Sequence, residues 1–131
     1  MAYGDRDTVD RILAMPTWAV VGLSTNPRRA AHGVSRFLQS HGRRIAPVHP
    51  LAETVHGEPG YASLHEIPFD VDVVDLFVRS ELAGPVVDAA IAKGAKAVWM
   101  QLGVVDHAAA ERAEAAGLEV VMDRCPKIEW R

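Results

Sequence analysis

Apolar positions along the chain alternate between two rhythms. Short continuous runs, such as Trp18-Ala19-Val20-Val21, Ile45-Ala46-Pro47-Val48, Ala97-Val98-Trp99-Met100 and Val120-Val121-Met122, read as strands. The stretch Val71 to Val78 (VDVVDLFV) is rich in β-branched residues and reads the same way. Near-continuous apolar character suits strands covered on both faces, as in parallel sheets. Between the runs, apolar residues recur at helical spacing. Asp7 is placed to cap a first helix in which Val9, Ile12 and Leu13 share a face, ending near Met15-Pro16 and packing across the sheet edge. A second helix, about Ala30 to His41, aligns Val34, Phe37, Leu38 and His41. A third, Leu82 to Lys93, carries Pro85 in its first turn and aligns Val86, Val87, Ala90 and Ile91. The last, about Asp106 to Ala116, is alanine-rich and can approach a sheet closely.

Three joins share one design. Ser40-His41-Gly42, Ala92-Lys93-Gly94 and Ala115-Ala116-Gly117 each lead directly into an apolar strand. A helix that stops at a glycine able to take the left-handed conformation, followed at once by a strand, marks repeated βαβ units. The pattern therefore predicts an α/β protein with three layers, a five-stranded and mainly parallel sheet between helices on both faces. His49 to Gly60 reads as loop with a short edge strand near Glu58 to Tyr61, and Ser63-Leu64-His65-Glu66 has capping-box spacing. Asp72 and Asp75 are awkward in a buried strand and are expected near its ends or on a partly exposed face. Trp18 and Trp99 are expected to fill core space, and His41 to lie at the core edge.

Length and charge narrow the picture. A chain of 131 residues suffices for one domain, here with residues 1–16 as an N-terminal helical extension. A net charge of −3 argues against general nucleic-acid binding. No apolar run approaches the ~18 residues of a membrane span. The start lacks the apolar stretch of a secretory signal. The single cysteine, Cys125, excludes an internal disulfide and fits a reducing compartment, so a soluble cytoplasmic protein is expected.

The chemistry concentrates between Thr17 and Gly33, TWAVVGLSTNPRRAAHG. A strand, a glycine-started turn and a helix put unpaired helix amides at a strand tip, where nucleotide phosphates are the usual occupants. At the spacing of the dinucleotide fingerprint G-x-G-x-x-G stand Gly22, Ser24 and Pro27, so only the first glycine is kept. Ser24, Thr25 and Asn26 add side-chain donors, and Arg28 or Arg29 can meet phosphate charge. A polar strand–helix loop without a ligand is the alternative. About 20 residues on, where NAD sites hold a ribose-binding carboxylate, the chain reads Ile45-Ala46-Pro47-Val48-His49-Pro50, and Glu53 comes several residues late. A ligand with an additional phosphate, coenzyme A or NADP, suits His49 and the arginines better. Arg43 and Arg44 begin their strand at the end away from the site and read as solvated. The six histidines show no metal-ligand spacing, and no nucleophile elbow is present. Cys125 follows the last strand. It reads as an inert half-buried thiol, with a mixed disulfide to a bound thiol as the sharper option.

The runs AVVGLSTNPRR, PVHP, YASLHEIP, VDVVDLFVRSE, GAKAVWMQLGV and AGLEVVMDRCPKIE, in this order, resemble the small stand-alone bacterial CoA-binding proteins. These in turn resemble the CoA-binding N-terminal domain of the succinyl-CoA synthetase α subunit. The resemblance implies a Rossmann-like fold with coenzyme A or an acyl-CoA as cofactor. It places the nucleotide on Gly22, Leu23, Ser24, Thr25, Asn26 and Arg28 and against Pro47, Val48, His49 and Pro50, with Val78, Arg79 and Gln101 along the rest of the cofactor's path. It gives a ligand rather than a reaction, so a binding module without catalysis of its own is the first reading. An NADP-binding oxidoreductase or redox-sensor domain is the second. A ligand-free protein whose sheet edge serves a homodimer or an enzyme partner is the third.

Overall fold

The computed structural model describes residues 3–131. Five strands, β1 (Thr17–Val21), β2 (Arg44–Val48), β3 (Val73–Leu76), β4 (Ala97–Met100) and β5 (Glu119–Val121), form one sheet in the order β2-β1-β3-β4-β5. Every strand pair is parallel. Helices α1 (Arg6–Leu13), α2 (Ala30–Ser40) and α5 (Pro126–Glu129) cover one face, and α3 (Ser80–Lys93) and α4 (His107–Ala115) the other. This is the expected three-layer, Rossmann-like α/β architecture. Gly42, Gly94 and Gly117 at the three helix-to-strand joins all take positive φ, at 81°, 82° and 91°.

Two cores result. On one face, the alanines Ala109, Ala110 and Ala113 of α4 and Ala83 and Ala90 of α3 are fully buried against Val74, Leu76, Val98 and Met100. On the other, Trp18 and Trp99 lie 5.9 Å apart between ring centroids and meet Val9, Ile12 and Leu13 of α1. Each indole N–H is satisfied by a backbone carbonyl, Met15 for Trp18 and Arg124 for Trp99. Helix α1 thus contributes fully to the core. Of the 1–16 extension, Met1 and Ala2 lie outside the described residues.

Several expectations are corrected. Asp5, not Asp7, caps α1, its carboxylate accepting the Thr8 N–H at 3.2 Å. The buried stripe of α2 is Ala31, Val34, Ser35 and Leu38, whereas His41 is exposed and stacks with the half-buried Phe37 and Trp130. Helix α3 starts two residues early, at Ser80, so Pro85 lies in its second turn. The Glu58–Tyr61 strand reduces to two isolated bridges, Val48 to Tyr61 and Val55 to Glu58. At Ser63 the single turn forms without a side-chain cap to the backbone. Arg44 is exposed as expected, whereas Arg43 is half-buried. Arg43 donates to the Leu13 carbonyl at 2.9 Å, and the Arg44 guanidinium lies 3.6 Å over the Phe69 ring.

The strongest departure is Asp75. Asp72 precedes β3 as expected, accepting the Thr17 N–H at 3.1 Å and facing Lys96 at 3.4 Å. Asp75 instead lies in mid-strand, between Val20 and Trp99 in register, with no exposure. Neither carboxyl oxygen has a hydrogen-bond partner among the described residues. The strand is shorter and more central than the sequence pattern suggests, so its polar residue cannot reach an edge. Burial raises the Asp75 pKa well above the ordinary 3.8.

A carboxyl whose native pKa is raised binds more protons folded than unfolded once the pH passes 3.8. Stability then falls as pH rises toward the native pKa, by about 1.4 kcal/mol per pH unit. Asp75→Asn keeps the shape and removes the ionisation. Urea midpoints from pH 5 to 8 should move progressively in favour of Asp75→Asn. A constant difference between the two proteins would show that Asp75 does not titrate on unfolding.

Candidate functional site

Strand order reverses between β1 and β3, since β1 connects outward to β2 while β3 leads to β4 and β5. Ligands of open parallel sheets bind beyond the carboxyl ends at this switch point. Here β1 ends at Gly22, whose φ is +98° and whose N–H donates to the Val48 carbonyl at 2.8 Å. A Cβ at this position would collide with the carbonyl oxygen of Phe77, which follows β3. Glycine is required twice over, by conformation and by space.

The loop after Gly22 is held by its own polar groups. The Ser24 hydroxyl accepts the Asn26 N–H at 3.2 Å, and the Asn26 side-chain carbonyl accepts the Arg28 N–H at 3.0 Å. Leu23 is 1% exposed and pins the loop to the core. Helix α2 then begins with Arg29 at its N-cap, with no side-chain cap and no acidic residue in its first turn. The Ala30 and Ala31 amides find no acceptor among the described residues. By contrast α1 and α4 are capped by Asp5 and Asp106. Helix α3, like α2, has an arginine at its N-cap, Arg79, and no side-chain cap. The uncapped starts of α2 and α3 face one cleft.

That cleft has a volume of about 800 Å³. Of the sequence-predicted site residues, Gly22, Ser24, Thr25 and Asn26 line it from the first loop, His49 from the end of β2, Val78 and Arg79 from the end of β3, and Gln101 from the end of β4. The others do not line it. Leu23 turns inward, Pro47 and Val48 are buried in β2, and Arg28 and Pro50 are exposed outside the lining. Of the two arginines, Arg29 at the N-cap of α2 lines the cleft and Arg28 does not. Gln101 is 5% exposed, and its Oε1 has no hydrogen-bond partner among the described residues. An unpaired buried carbonyl on a cleft wall is an acceptor suited to a ligand N–H.

Sequence reading missed the far bank. The segment from His49 to Gly60 folds back on itself: the His49 carbonyl accepts the Ala52 N–H at 2.8 Å, and a Cβ at Gly60 would strike the Glu53 carbonyl. His56 ties the segment to α2 through the His32 carbonyl at 2.8 Å. Leu51 and Glu53 are thereby brought onto the cleft, and the Thr25 hydroxyl donates to the Glu53 carboxylate at 3.3 Å. Glu53 is late in sequence for a ribose carboxylate, but the fold-back returns it to the mouth. Only the glycines and prolines of the segment hinted at such a turn. Cys125, read from the sequence as a half-buried thiol, is buried outright. It is 7% exposed in the tryptophan core and does not line the cleft. Among the described residues no group of three His, Cys, Asp or Glu could hold a metal, and no helix is long and apolar enough to cross a membrane.

A doubly wound parallel sheet with an anion-ready cleft at its switch point defines the class of Rossmann-like nucleotide-binding folds. Within that class, residues 16–131 match the model of the CoA binding domain, and the chain belongs to that family. It is similar to the uncharacterized protein YneT of Bacillus subtilis, at 37% identity over 110 residues, 84% of this chain and 82% of that protein. A solved structure of a protein from Pyrococcus horikoshii superposes with a TM-score of 0.91 at 38% identity, covering 96% of this chain and 89% of that one. The α subunit of an ADP-forming acetate–CoA ligase II from Pyrococcus furiosus is 31% identical over 81 residues, 61% of this chain. The matched region is 18% of that subunit.

Gly22→Ala should lower stability by at least ~2 kcal/mol, combining the left-handed backbone cost with the collision at Phe77. Urea unfolding measures it. A loss under ~0.5 kcal/mol would mean that the turn relaxes freely.

Proposed function

We propose that the chain binds coenzyme A or an acyl-CoA in this cleft and acts as a binding module without chemistry of its own. The observation that carries the reading is the open start of α2, where the free Ala30 and Ala31 amides, the positive helix end and Arg29 converge on one cleft. A diphosphate supplies the acceptors and negative charge that this end lacks. Family membership supports coenzyme A as the source of that diphosphate. So does the likeness to a ligase subunit whose name includes CoA, although the activity of that larger protein is not carried over. Gln101 holds a buried, unpartnered carbonyl at the cleft wall. Turning its side-chain amide toward the cleft would present that acceptor to one of the two amide N–H groups of the pantetheine arm. Arg79 adds charge on the same wall. The hydroxyls on the lining are engaged in holding loops, Ser24 with Asn26 and Thr25 with Glu53, which fits binding better than nucleophilic attack.

Calorimetric titration with CoA, acetyl-CoA, NAD and NADP tests the reading. CoA and acetyl-CoA should bind at least tenfold more tightly than either nicotinamide dinucleotide. Tighter binding of NADP would favour the redox alternative instead. Arg29→Glu should weaken CoA about tenfold or more, the scale of losing a charge-assisted contact and gaining repulsion. Arg28→Glu, one residue away and outside the lining, should change affinity less than about threefold. The reverse order would put the phosphate on the other arginine.

A further inference from the structure

Among the described residues, Leu51, Leu82, Leu102, Val105 and Ile128 are the large apolar side chains left exposed, and all but Ile128 gather at the carboxyl edge of the sheet. Three of them sit on two segments that are fastened together. The Ser80 hydroxyl donates to the Gly103 carbonyl at 3.1 Å and accepts the Val105 N–H at 3.0 Å. From the other side, Asp123 accepts the Gly103 N–H at 2.7 Å. A loop held by three hydrogen bonds presents Leu102 at 56% and Val105 at 40% exposure, beside a helix start that presents Leu82 at 47%. Apolar groups on a fixed loop, gathered at one edge, mark a binding surface more often than chance exposure does.

The patch continues the cleft. The cleft wall is polar along Ser24, Thr25 and Asn26 and becomes apolar through Val78, Leu102 and Val104. Leu102 belongs to both, since it lines the cleft next to Gln101 and is exposed on the same loop as Val105. A ligand anchored by phosphates at α2 and by an amide at Gln101 therefore leaves the cleft over Leu102, Val105 and Leu82. We propose that this surface receives the acyl chain of an aliphatic acyl-CoA thioester. The inference rests on the CoA reading and adds the class of acyl group.

The test compares CoA with acetyl-, hexanoyl- and decanoyl-CoA, each titrated below its micelle-forming concentration. Affinity should rise about twofold per added methylene on a half-open surface, against about fourfold for complete burial. Hexanoyl-CoA should thus bind on the order of tenfold more tightly than acetyl-CoA. In a Leu82→Ser, Val105→Ser double variant, both positions being outside the cleft lining, the chain-length gain should vanish while CoA affinity stays. Equal affinity for all chain lengths, or a gain that survives in the double variant, would overturn the inference and leave CoA binding standing. A concentration-dependent dimer abolished by the double variant would also overturn it, making the patch an interface between copies. Binding of neither CoA nor any thioester would overturn the underlying function itself.

Discussion

The structure depends on one crowded point, where β1 leaves the middle of the sheet between two neighbours. Gly22 donates to β2 through Val48 and lies against the Phe77 carbonyl that follows β3, so the turn has no room for a side chain. Because the turn is that tight, Leu23 drops into the core and the Ser24–Asn26 loop spans directly to Arg29. Helix α2 consequently starts over the carboxyl ends of the strands with its first amides open. A capped helix start is worth about 1 kcal/mol, and aspartates supply that cap at α1 and α4. Its absence at α2 and α3, the two starts that carry cleft-lining arginines, forgoes that stabilisation and leaves both helix ends open toward the cleft.

The unsatisfied side-chain atoms tell a related story. Those found among the described residues belong to Asp75 and Gln101 alone, the first in β3 and the second just past the end of the adjacent β4. Gln101 lines the cleft, so a ligand can complete it. Asp75 lies deeper, opposite Trp99, and burial favours its neutral form. Asp72, just before β3, is by contrast engaged with the Thr17 N–H and Lys96.

Much of this was legible in the residues. The run Thr17–Val21 and the glycines at 42, 94 and 117 announce a parallel sheet because continuous apolar runs and left-handed helix ends have few other solutions. The first loop was legible for the same reason, through Gly22. Features set by long-range packing were not. The central place of Asp75 follows from strand order, which local periodicity does not encode. The fold-back that delivers Leu51 and Glu53 depends on contacts between His56 and α2. The choice between Arg28 and Arg29 depends on which of two adjacent loop residues lines the cleft, which local spacing does not encode. Helix α5 escaped notice because four residues are too few to show a period, although Pro126 in its first turn was a usable signal.

The central claim is that the open amides at the start of α2 hold a diphosphate. Amide NMR of the ¹⁵N-labelled protein, titrated with CoA, addresses it residue by residue. The Ala30 and Ala31 resonances should move downfield, as N–H groups do on meeting a charged acceptor, and should saturate with the calorimetric affinity. Binding that leaves Ala30 and Ala31 unmoved while shifting only distant amides would contradict the account.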